Sequence, residues 1–165
     1  MAPVFIDLPE LALPKVDKNR PDFELSDIQM SMFNHPHKEW DISAKTASIY
    51  TKDHQTQIND ISGVIYQKGT KPAIRFSSPK AFLNDEHTHF EFEDSTWQHI
   101  KTEPVLRFFA PQLLWNTETS LISGSQTIKL DSPLYRMSAQ TFKTSLNEDT
   151  LYLSGRVTIR ISLEP

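Results

Sequence analysis

From Phe23 onward the chain alternates apolar and polar residues with a period of two. Phe23, Leu25, Ile28, Met30 and Met32 stand between polar neighbours, with one slip of register near Ser26-Asp27 that marks a candidate bulge. Successive side chains on a strand point to opposite faces, so this alternation predicts half-buried β-strands. Comparable runs cover Trp40 to Ile49, Gln57 to Gln67, Ala73 to Ser77, Thr88 to Glu93, Val105 to Phe109, Gln112 to Asn116, Ser120 to Ile122, Gln126 to Leu130, Leu134 to Thr141 and Thr150 to Leu163. Turn-forming stretches such as Thr51-Lys52-Asp53, Lys68-Gly69, Asn84-Asp85-Glu86, Asn116-Thr117-Glu118 and Asn147-Glu148-Asp149 separate them. Short strands punctuated in this way predict an all-β sandwich, barrel or roll, and no segment holds a helical period beyond two turns.

The strands echo one another. Ala44, Ser78, Ala110 and Ala139 each close a similar run, in Trp40 to Ala44, Ile74 to Ser78, Leu106 to Ala110 and Tyr135 to Ala139, and successive small residues are 34, 32 and 29 positions apart. A repeat of this length marks a supersecondary unit stacked on its neighbours. Three of the four glycines follow strand-like runs, in Ile61-Ser62-Gly63, Ile122-Ser123-Gly124 and Leu153-Ser154-Gly155. Glycine there predicts a bulge or tight bend. The second unit has Asp94-Ser95 instead, so the repeat is degenerate.

Faces sort well where alternation is strict. Thr88, Phe90 and Phe92 oppose His87, His89, Glu91 and Glu93; in the last run Leu151, Leu153, Val157, Ile159 and Ile161 form the apolar side, with a step at Gly155. That long final strand is expected at a sheet edge, available for strand addition by a partner or a second copy.

Residues 1–21 carry Pro3, Pro9, Pro14 and Pro21 and the charged stretch Lys15 to Arg20, and read as an extended Pro-rich linker to a single domain over residues 22–165. A chain of 165 residues with ten Phe can bury a substantial core. Its net charge of −4, with basic residues scattered, argues against nucleic acid as a partner. The absence of cysteine excludes disulfides and thiolate metal sites. No run of roughly 18 apolar residues is present. The expectation is either a cytosolic protein or a chain lacking a removed export or anchor segment.

Candidate chemistry is sparse. Gly-rich phosphate loops, HExxH, GxSxG and CxxC motifs are all missing, so no catalytic residue and no cofactor is assigned and the chain is read as not an enzyme. His35 and His37, or His87 and His89, could share a metal from alternate strand positions, yet structural zinc needs four ligands. The expected reading is a loop beside Pro36 and a solvated face with Glu91 and Glu93, with no metal. The aromatics fall mostly on inward positions, either as ordinary core or as the wall of a cavity for acyl chains.

Two stretches carry a resemblance: Trp40-Asp41-Ile42-Ser43-Ala44-Lys45-Thr46-Ala47-Ser48-Ile49-Tyr50 with Ile58 to Val64, and Tyr135 to Phe142 with Thr150 to Val157. They resemble the OstA-like periplasmic proteins of lipopolysaccharide transport, over about residues 23 to 162. The segment Val105 to Trp115, leading to Leu114-Trp115-Asn116, is more similar to the LptC-like than to the LptA-like members. Two departures stand out: the membrane-spanning helix usual at the start of LptC-like chains is missing, and Asp131-Ser132-Pro133 replaces a glycine common before the last unit.

The resemblance implies a twisted antiparallel β-jelly roll, open along one side, that holds lipopolysaccharide acyl chains inside. It implies receipt of the lipid from an LptBFG-type ABC transporter, transfer to an LptA-like protein by edge pairing, and a periplasmic location with an inner-membrane tether. Acyl contact is expected from Ile42, Phe76, Phe90, Phe92, Phe108, Trp115, Met137, Phe142 and Leu153, and partner pairing from the edge residues Leu151, Leu153, Val157, Ile159 and Ile161. Two alternatives remain at this point. A carbohydrate-binding or glycan-processing β-sandwich would turn some aromatics outward as sugar-stacking platforms beside paired carboxylates, placing Trp97 and Trp115 on the side opposite to that of the lipid reading. A purely structural β-repeat would have a packed core and no ligand.

Overall fold

A computed structural model describes residues 20–67, 71–100, 105–146 and 150–162. Nearly all of the predicted linker, the Lys68-Gly69 and Asn147-Glu148-Asp149 turns and Leu163 lie outside the described residues. The strands are β1 (Phe23–Asn34), β2 (His37–Tyr50), β3 (Gln55–Gln67), β4 (Lys71–Asn84), β5 (His89–His99), β6 (Leu106–Asn116), β7 (Leu121–Asp131), β8 (Tyr135–Ser145), β9 (Leu151–Ser154) and β10 (Thr158–Ile161). They form one antiparallel sheet in chain order, with β9 and β10 both pairing with β8. β1 stands at one end of the order and β9/β10 at the other, so the roll is open.

Most strands up to β8 are longer than the alternation predicts, for one physical reason. In β1 to β6 and in β8 there is a point where the inward phase slips by one residue, and a strict period-two reading breaks there. The pattern appears in the buried positions: Ala44 then Ala47 in β2, Ile58 then Ile61 in β3, Ser78 then Ala81 in β4, Phe92 then Ser95 in β5, Ala110 then Leu113 in β6, Ala139 then Phe142 in β8. The predicted Val105–Phe109 and Gln112–Asn116 runs are therefore one strand, β6, and the runs at 120–122 and 126–130 belong to β7. Ala73–Ser77 continues through Pro79 to the end of β4.

The slip has a backbone cause. Asp27, Asp60 and Asp94 adopt left-handed φ of 52°, 51° and 51°, as do Gln126 and Thr127 in β7 and Arg156 after β9. Asp tolerates this region better than most residues because its short polar side chain can bond locally. Pairing places Asp27 and Asp60 against Lys45, Asp60 and Asp94 against Pro79, and Asp94 against Pro111. The ladder is interrupted at each of these pairs, and from β1 to β6 the register is the same on either side of the interruption. Proline lacks the N–H a central ladder requires, so Pro79 and Pro111 are tolerated where no ladder bond is made. The result is a crease running across the strands. The repeating small residues Ala44, Ser78, Ala110 and Ala139 are buried beside it.

Two glycines correct the expectation of bulges. Gly63 and Gly124 lie in regular strand directly opposite Phe76 and Phe142, whose rings cover them; an added Cβ would sit inside contact distance of either ring. They are seats for aromatic side chains. Gly155, at φ +75°, does begin the expected step: three residues, Gly155 to Val157, oppose two of β8, and Gln140 N donates to Gly155 O at 2.8 Å.

The outer face near β1 is tied by Asp41, which accepts hydrogen bonds from Ser31 Oγ at 2.5 Å, Lys38 Nζ at 3.1 Å and Tyr66 Oη at 2.9 Å. Burial pushes the Asp41 carboxyl upward, but these three donors outweigh it and hold the group below its ordinary value of 3.8.

Gly124→Ala is expected to destabilise the fold by about 1–3 kcal/mol, since the Phe142 ring has nowhere to move in a packed interior, as measured by urea denaturation. Asp41→Asn is expected to lower stability at neutral pH. Because the folded-state pKa is depressed, the wild-type advantage is fully present above 3.8 and disappears as pH falls through the folded value. Thermal denaturation of both proteins across the acid range would therefore converge.

Candidate functional site

The inner face is built from residues placed opposite one another across successive strands. One row runs Met30, Ile42, Gly63, Phe76, Trp97, Phe108, Leu130, Met137 and Ile159, crossing from β1 to β10. Beyond the crease a second runs Leu25, Ala47, Ile58, Ala81, Phe92, Leu113, Gly124, Phe142 and Leu153. Thus the residue two positions before each repeating small one, Ile42, Phe76, Phe108 or Met137, belongs to a single apolar row.

The middle of this face is closed by aromatic packing. Phe76 stacks on Trp97 at 4.6 Å between ring centroids, Trp97 on Phe108 at 5.9 Å, and Phe90 on Trp115 at 5.2 Å. Trp40 of β2 meets Trp115 of β6 edge-on at 5.9 Å, so the sheet folds over and brings strands four apart into contact. Such ring pairs add about 0.5–1.5 kcal/mol beyond their buried area.

The expected acyl-contact residues divide accordingly. Ile42, Phe76, Phe90, Phe92, Phe108, Trp115 and Phe142 are buried in the packed interior, whereas Met137 and Leu153 are half-buried near the β8–β10 end. There the apolar face continues into solvent: Val157 is exposed, Ile159 is 56% exposed and Ile161 69%. Of the expected edge residues, Leu151 and Leu153 lie in β9, Ile159 and Ile161 in β10 and Val157 in the step between them, so the terminal edge is two short strands instead of one. At the opposite edge Phe23, Leu25, Met32 and Phe33 are also exposed. Both ends of the wall are open to solvent and its centre is filled.

Sequence reasoning missed Trp97 as part of this wall, because the predicted strand stopped at Glu93. The slip at Asp94 is the missing signal: past it, Ser95 and Trp97 alternate inward like Phe90 and Phe92. Trp97 and Trp115 are both buried on the same inner face, which opposes the arrangement required of outward sugar-stacking platforms. Among the described residues no three His, Cys, Asp or Glu side chains converge to hold a metal. His35 stacks on Phe33 in the β1–β2 turn, and His89 bonds Thr88, Asn84 and Asn116.

Two indole N–H groups differ. Trp97 Nε1 donates to Ser95 Oγ at 2.8 Å, while the buried Trp115 Nε1 has no hydrogen-bond partner among the described residues. A buried unmet donor costs about 1–3 kcal/mol. Trp115→Phe is therefore expected to lose less stability than Trp97→Phe, a difference that calorimetry of the two variants would measure.

Comparison with known proteins agrees with this geometry. The family model described as "Lipopolysaccharide-assembly, LptC-related" matches residues 6–162. No curated protein sequence matches the chain. Among solved structures it is similar to LptH, the LptA-homologous periplasmic component of the lipopolysaccharide transport device of Pseudomonas aeruginosa, with a TM-score of 0.57 at 6% identity, covering 74% of this chain and 94% of that one. At that identity the likeness concerns the fold, an open β-jelly roll, while the family match spans the whole creased sheet. The chain belongs to the LptC-related lipopolysaccharide-assembly family.

Proposed function

We propose that this protein carries lipopolysaccharide by its acyl chains along the inner face of the roll. In this reading it is one span of a periplasmic bridge, receives lipid from an LptBFG-type ABC transporter and passes it to an LptA-like protein. The observation that carries the reading is the unbroken apolar row from Met30 to Ile159, which is packed at its centre and exposed at the β10 end. Each acyl methylene moved from water to such a surface gains about 0.8 kcal/mol, so a lipid can be held without covalent chemistry. Family membership supports the pathway, and directionality would come from the transporter.

Acyl chains would engage Met137, Leu153, Ile159 and Ile161 first. Phe108 and Phe142 lie one step deeper, and Phe76, Phe90, Phe92, Trp115 and Ile42 become accessible only if the roll spreads and the ring stacks part. Strand addition at β1 or at β9/β10 would join the row to that of a neighbour, either an LptA-like protein or another copy. Among the described residues no helix is long and apolar enough to cross a membrane; an inner-membrane tether belongs to the proposal.

The test is site-specific photocrosslinking to lipopolysaccharide in cells from Met137, Leu153, Phe108 and Phe90, with the outward-facing, exposed Thr96 as control. Adducts are expected at Met137 and Leu153, with progressively less at Phe108 and Phe90. Equal labelling at Thr96, or no lipid adduct at any inner position, would sink the acyl-groove reading.

A further inference from the structure

We propose that the outer face of the sheet carries a separate binding site for the phosphate group of an anionic lipid, formed by Arg107, Arg136 and Arg160. Register places Arg107 opposite Asp131, Asp131 opposite Arg136, and Arg136 opposite Arg160, so these residues form one row across β6, β7, β8 and β10. All four are exposed on the face opposite the aromatic wall.

The row is unbalanced. Among the described residues Asp131 is the one carboxylate lining the pocket these residues share, and it accepts a bond from Arg136 Nε at 3.2 Å. Arg136 and Arg160 are direct cross-strand partners of like charge, an arrangement that destabilises a sheet unless an anion intervenes. Guanidinium forks match phosphate oxygens in pairs, so three of them around one recess favour a phosphate over a single carboxylate. The recess has a volume of about 810 Å³, and the β7–β8 turn forms part of its wall. Ser132 Oγ fixes that turn by accepting from the Leu134 and Tyr135 backbone N–H groups.

Exposed aliphatic residues border the same recess: Val105 and Ile161 line it, and Leu134 stands in the adjoining turn. Inorganic phosphate would leave them unused, whereas a lipid places its phosphate on the arginines and its first methylenes on the aliphatic rim. The phosphate contacts lie on the outer face and stand whether or not acyl chains occupy the inner one; Ile161, at the β10 edge, is shared with the inner face.

The experiment is NMR of arginine side-chain Nε–Hε signals in the full chain, titrated with dihexanoyl phosphatidic acid below its micelle concentration and, separately, with inorganic phosphate. Saturable shifts are expected at Arg107, Arg136 and Arg160 and not at Arg75, which lies farther along the same row opposite Val64 and Gln98. Inorganic phosphate should bind about tenfold more weakly, and the exposed double substitution Arg136→Gln with Arg160→Gln should weaken lipid binding by at least about tenfold. Asp131→Asn should tighten it, since the competing carboxylate is removed. Equal shifts at Arg75, or unchanged binding by the double variant, would overturn the site; equal affinity for inorganic phosphate would overturn its assignment to a lipid.

Discussion

A strand that crosses the middle of this sheet must present the same face to the interior on both sides of a point where its backbone is not extended. A single strand that slipped phase alone would turn half its apolar residues outward, because the side-chain period is two. Here neighbours slip together. The left-handed aspartates 27, 60 and 94 alternate with Lys45, Pro79 and Pro111 along one line, and β7 and the β9–β10 junction continue that line with their own left-handed residues. Coordinated slippage preserves both register and inside-outside sorting. The aromatic wall, the small buried residues and the open edges all depend on it.

The same constraint explains why some of the fold was legible in the sequence and some was not. The all-β class and the terminal edge followed from alternation, the antiparallel roll was implied by the family resemblance, and the slip near Asp27 was visible because β1 is strictly patterned on either side of it. In β4 and β6 the slip coincides with Pro79 and Pro111, which are ordinary stop signals for a strand, so two continuous elements read as shorter pieces. Gly63 and Gly124 misled in the opposite direction. Their role depends on a phenylalanine in the next strand, a relation that local sequence does not contain.

The acyl-contact candidates were read correctly as inward-facing, but inwardness does not distinguish wall from core. Phe76, Phe90 and Trp115 are held against other rings, whereas Met137 and Leu153 sit where the face runs out into solvent. That difference arises from how far the sheet folds over, as in the contact between Trp40 and Trp115, and this is set by tertiary curvature. The row of arginines was invisible for a similar reason: Arg107, Arg136 and Arg160 belong to three strands and meet only through register.

The break at Gly155 to Val157 gives the terminal edge a further property. β9 and β10 continue along the same side of β8, but their pairings are offset by one residue. A regular strand laid against this edge would match one segment and fall out of step with the other, wasting part of its backbone hydrogen-bonding capacity. An added strand carrying a compensating bulge could follow both. Any strand added at this edge would therefore meet a vernier-like step in the backbone before any side chain is compared.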